Sequence, residues 1–140
     1  MSADRNKAVV QRYFDLVNGG LLDTLGDELL TPGYQVHRGS APTLDRAGTI
    51  HLIEGFLAAF PGLHHAIEDQ IADGDRVATR IVVRGTHGGD LMGLAPTGKD
   101  VAFEAMYIHR VENGRIVEQW VVSDSLGMLQ QLGAIPVPGR

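Results

Sequence analysis

Near the middle of the chain, at Pro61-Gly62, the hydrophobic pattern changes period. Before this point apolar residues recur every three to four positions. After it they recur every second position. A helical half followed by a strand half predicts an α+β domain, because successive strands without intervening helices pair antiparallel.

The helical half divides at its glycines. Val10, Phe14 and Val17 fall at helical spacing with Tyr13 beside them, which predicts a helix from about Ala3 to Asn18 ended by Gly19-Gly20. A second, short helix covers about Leu22 to Leu30 and stops at Thr31-Pro32-Gly33. "YQVH" (34–37) reads as a short extended piece. "DRAGTIHLIEGFLAAF" reads as a third helix, with Asp45 as its N-cap and Ile50, Ile53, Leu57 and Phe60 on one stripe. In the second half "HHAIEDQIA", "RVATRIVVRGTH", "KDVAFEAMYIHRV" and "RIVEQWVVSD" read as strands, and "SLGMLQQLG" as a last short helix. Asn113-Gly114 between the last two strands is a strong hairpin signal, expected as a type I′ turn.

With 140 residues the chain is expected to form a single domain, residues 1–140, with a short disordered or extended tail from about 134. It has no cysteine, hence no disulfide and no thiol nucleophile. A net charge of −5 with the two signs interspersed offers no basic stripe for nucleic acid and no patch for anionic lipid. The N-terminal residues lack a signal-peptide core, and no apolar run nears the ~18 residues of a membrane span. A cytoplasmic protein is expected. The strand "KDVAFEAMYIHRV" is apolar on both sides: Val101, Phe103, Ala105, Tyr107 and Val111 on one, Ala102, Met106 and Ile108 on the other. Helices are expected to cover one sheet face and a second subunit part of the other, giving a homodimer or higher homo-oligomer.

A plain two-residue hairpin sets Val111 opposite Ile116, His109 opposite Glu118, Tyr107 opposite Trp120, Ala105 opposite Val122 and Phe103 opposite Asp124. Asp124 would then end an aromatic, apolar surface. Desolvation there would raise its pKa and make it a general acid or base near neutrality. A bulge in either strand would turn the face over. The competing role is a helix cap for "SLGMLQQLG". If the Asp124 oxygens lie in bulk solvent, or bond only to the amides opening that last turn, the catalytic reading fails.

The stretch "GTHGGDLMGLAPTG" (85–98), with "YIHRVENGRIVEQWVVSD" and "LGMLQQLG", resembles the SnoaL-like polyketide and ester cyclases of the nuclear-transport-factor-2-like superfamily. The resemblance implies a curved antiparallel sheet closed by helices into a cone-shaped barrel with an internal apolar pocket. It implies Asp124 as acid/base and a histidine at His37 pointing into the pocket. It implies intramolecular aldol-type ring closure of a polyketide-like or other apolar substrate, with no cofactor and no metal. Phe14, Phe56, Phe103, Tyr107 and Trp120 are candidate pocket residues. His87 is a further candidate at the Asp124 end of the sheet, with loop bracing as its alternative. His109 is expected to pair with Glu118 far from Asp124; His51, His64 and His65 read as structural or exposed. A non-catalytic binding protein, or an isomerase, epoxide hydrolase or pericyclase on the same fold, are the alternatives.

Overall fold

The computed structural model describes residues 2–139. Helix α1 spans Ala3–Asn18, with the Ser2 side chain capping its first turn. A short helix α2 (Leu22–Thr24) runs on into a π-helical turn, Leu25–Leu29. Strands β1 (Leu30–Arg38) and β2 (Ala41–Asp45) follow, then α3 (Arg46–Ala59). Strands β3 (His64–Asp73), β4 (Arg76–Thr86), β5 (Asp100–Glu112) and β6 (Arg115–Ser123) complete the sheet, and α4 (Ser125–Gln131) closes the chain.

The predicted helices and long strands are present within a few residues. Asp45 caps α3 as expected, its Oδ1 accepting from the Gly48 N–H at 2.8 Å. Asn113 and Gly114 both have positive φ, as a type I′ turn requires. Two features of the sheet differ from expectation. Its order is β2-β1-β6-β5-β4-β3, and β1 runs parallel to β6, so the sheet is mixed rather than wholly antiparallel. It curves without closing, leaving β2 and β3 as edges, so the cone is not a barrel.

Helix α1 lies along the inner face of the sheet and divides it into two regions. Its N-terminal half packs where β3, β4 and the β5–β6 hairpin end, and Asn6 Nδ2 donates to the Gly74 carbonyl there. Val10, Leu25, Val77, Val111 and Ile116 seal this end. The C-terminal half of α1 faces α3 across a hollow. Apolar α3 residues such as Ile53 and Phe56 are only half-buried, because they face that hollow.

The hairpin carries the largest correction. Below the turn, Val111 faces Ile116 as predicted, but Arg110 faces Glu118, and Val117 is left without a partner. This bulge moves every later pair by one residue. His109 faces Gln119, Tyr107 faces Val121 and Ala105 faces Ser123. Because side chains alternate, a one-residue shift turns β6 over. Gln119, Val121 and Ser123 point inward, and Trp120, Val122 and Asp124 do not.

Candidate active site

A cavity of about 450 Å³ opens between α1, α3 and the inner sheet face. That size suits a small organic ligand. Aromatic and aliphatic side chains make most of its wall, among them Phe14, Phe56, Leu57, Phe103 and Tyr107. Of the candidate pocket residues, the structure brings Phe14, Phe56, Phe103 and Tyr107 together in this wall.

The remaining site expectations need correction. Trp120 sits on the outer face, its ring stacked on His37 at 5.4 Å with the Arg76 guanidinium 5.0 Å from its centroid. His37 is beside it because β1 pairs His37 with Trp120. Its Nε2 meets Glu118 Oε2 at 2.6 Å, which holds the Glu118 carboxyl below its usual range. Neither His37 nor Trp120 lines the cavity. His87 is fully buried behind it: its Nδ1 accepts from the Thr97 N–H at 3.2 Å and fastens the loop that follows β4. It does not line the cavity. His109 faces Gln119 rather than Glu118 and is fully buried, between Tyr13 and Tyr107.

Asp124 does not end a dry surface. It is exposed, and its Oδ1 accepts from the Gly127 N–H at 2.9 Å as the N-cap of α4. Its neighbours Ser123 and Ser125 line the cavity, and Asp124 does not. Among the described residues its carboxylate has no other hydrogen bond. The Val117 bulge is what turns this end of β6 away from the inner face.

Apart from Tyr107, the polar part of the cavity wall comes from residues to which the sequence reading gave no site role. Gln119 lies at its floor, where Oε1 accepts from the Tyr34 hydroxyl at 2.8 Å. Arg38 stands on the wall beside the β1–β2 turn and donates to the Pro42 carbonyl at 2.9 Å. Burial raises the Tyr13 phenol to about 12 and raises that of Tyr107 further, so both remain neutral hydrogen-bond donors. His65 lines the wall from β3. Burial, and secondarily the charge of His64, lowers it to about 4. Among the described residues no aspartate or glutamate lines the cavity, and His65 is its one histidine. Adjacent histidines on a strand must face opposite ways, so one of His64 and His65 had to point inward. That signal was present in the sequence.

Residues 7–132 match the family model described as SnoaL-like polyketide cyclase. The chain belongs to the SnoaL-like polyketide cyclase family. Among relatives of this SnoaL-like protein is the aklanonic acid methyl ester cyclase DnrD of Streptomyces peucetius, 27% identical over 137 residues, covering 89% of this chain and 88% of that one. IdmH of Streptomyces antibioticus, assigned provisionally as a polyketide cyclase, is 36% identical in sequence with a TM-score of 0.82, covering 91% of this chain and 98% of that one. AclR of Streptomyces galilaeus, assigned provisionally as a hydroxylase, is 32% identical with a TM-score of 0.89, covering 99% of this chain and 87% of that one. The SnoaL-like fold and the apolar cavity thus go together here. Among the described residues no helix is long and apolar enough to cross a membrane.

Proposed function

We propose that this protein closes a ring in a polyketide-like substrate by intramolecular aldol-type condensation inside the cavity, without a cofactor. The cavity is the observation that carries this reading. A flexible chain bearing a methylene between two carbonyls ionises there readily, and its enolate must then meet a second carbonyl of the same chain. An apolar hollow of about 450 Å³, with aromatic walls and a few polar groups, favours the folded conformer and excludes water. The phenols of Tyr13 and Tyr107, kept neutral by burial, are donors suited to a developing alkoxide. Likeness to a methyl ester cyclase supports the substrate class.

A second reading draws on the lack of a carboxylate among the described cavity residues: a pericyclic closure, which needs shape and no proton transfer. Turnover of substrate carrying two deuterons at that methylene separates the two. Aldol closure loses one of them, because the broken C–D bond is replaced by the new C–C bond, whereas pericyclic closure breaks no C–D bond. Product that keeps both deuterons at that carbon overturns the aldol reading.

The outer sheet face is proposed to meet a second copy of the chain. Met106, Ile108 and Val122 lie exposed there, and Arg80 pairs with Glu104 at 3.3 Å beside them. A patch with both charge signs and an apolar centre can complement itself about a two-fold axis. Light scattering at micromolar concentration should give twice the chain mass; a monomer there ends this part of the proposal.

A further inference from the structure

We propose that His65, held in one tautomer by Asn18, is the proton acceptor of the cavity, its Nε2 taking the proton of an activated methylene flanked by two carbonyls. The substrate class rests on the aldol reading above; the geometry rests on α1 and β3 alone.

Strand β3 is a sheet edge, so one side of its backbone has no neighbouring strand. Asn18, the last residue of α1, meets that side. Its Nδ2 donates to the His65 carbonyl at 2.9 Å, and its Oδ1 accepts from the His65 N–H at 2.8 Å. These two bonds fix which end of the amide is oxygen. The same Oδ1 lies 3.0 Å from His65 Nδ1. An amide oxygen only accepts, so Nδ1 must carry the hydrogen. Nε2 then carries the lone pair. Nε2 has no partner among the described residues, and it is not among the polar atoms sealed without one. His65 lines the cavity, so that lone pair is open to a ligand.

The surroundings favour this use. Val83 faces His65 across the β3–β4 pair, and Phe14 lies 6.0 Å away between ring centroids. His64 is exposed and pairs with Arg84. Burial brings the ring to about 4, the ordinary range of a carboxylate, which is about 3.9 for aspartate. The cavity therefore holds a base of carboxylate strength that is neutral at pH 7. An apolar wall accepts such a group more readily than an anion.

The step balances within the substrate. The methylene C–H bond breaks, its proton passes to Nε2, and the electron pair stays as enolate. The enolate carbon forms the new C–C bond to the second carbonyl carbon. That carbonyl oxygen takes the electron pair as alkoxide and receives the proton back from Nε2. Product and substrate have the same formula, and no oxidant or co-reactant enters.

Two measurements on the full chain test this. Long-range 15N–1H NMR should show His65 as the neutral Nδ1–H tautomer at pH 7, and Asn18→Ala should convert it to a mixture of tautomers. Exchange of the methylene protons of ethyl benzoylacetate in D2O should run faster with the protein than in buffer. His65→Gln should lower that excess by about 10²-fold or more, and Asn18→Ala should lower kcat for exchange with little change in KM. A protonated ring or the Nε2–H tautomer at pH 7 overturns the proposal. So does exchange by His65→Gln at the wild-type rate, or no exchange by the wild type. Exchange that depends on His65, without ring closure of any polyketide substrate, would instead count against the aldol reading alone.

Discussion

The two ends of the inner sheet face are built from similar residues and behave differently. At the closed end His109 lies fully buried, stacked 5.5 Å from Tyr107, and neither ring nitrogen has a hydrogen-bond partner among the described residues. At the open end His65 is half-buried, clamped by Asn18 on one nitrogen and free on the other. Burial lowers both rings, to about 3 and about 4. The difference lies in access. A polar group sealed at the closed end acts only on stability, whereas one at the cavity wall can act on a ligand.

The largest effect that would break this contrast is acid sensitivity. His109 is neutral when folded down to about pH 3 and takes a proton near 6.5 when unfolded. Between those values the unfolded chain binds more protons, so stability rises with pH. The contribution is fully present above pH 6.5 and is lost as pH falls toward 3. His65 acts in the same sense between 6.5 and about 4. Chemical denaturation at pH 7 and at pH 4.5 should show a loss of a few kcal/mol, reduced in His109→Asn. An equal loss in that variant would place the acid sensitivity elsewhere.

A smaller effect sharpens the contrast. Tyr34→Phe removes the donor to Gln119 Oε1 in a fully buried setting, and an orphaned buried acceptor costs about 1–3 kcal/mol. Ser123→Ala, on the exposed rim, should stay within about 0.5 kcal/mol. Equal losses at the two sites, by urea denaturation, would erase the distinction between the buried floor of the cavity and its exposed rim.

How far the sequence could be read follows the same division. The helices, the four long strands and the turn at Asn113-Gly114 were legible because each depends on local periodicity or on a backbone preference of one or two residues. The aromatic lining was legible from β5, whose alternation is unbroken. The face of β6 was not. Nothing in "RIVEQWVVSD" marks Val117 as the unpaired residue; a bulge is chosen by the fit of the whole sheet. From that one residue came the misplacement of Asp124 and Trp120, and the wrong partner for His109. The parallel pairing of β1 with β6 was equally out of reach, being a contact between distant segments, and it took His37 to the outer face. Asn18 escaped notice because its partner is the backbone of a strand 47 residues away.

Asp124 offers the smallest effect, and it separates charge from capping. Its carboxylate accepts the Gly127 N–H, and an asparagine oxygen can accept the same bond. Asn and Asp are about equal as N-caps, whereas alanine costs about 1 kcal/mol. Asp124→Asn should therefore keep both stability and turnover. Asp124→Ala should lose about 1 kcal/mol of stability and keep turnover per folded molecule. Both are read by thermal melting beside a ring-closure or proton-exchange assay. A large loss of turnover in Asp124→Asn with an unchanged melting temperature would return the chemistry to the rim of the cavity. It would also mean that the cap must open during the reaction, because the carboxylate at the start of α4 lies outside the cavity wall.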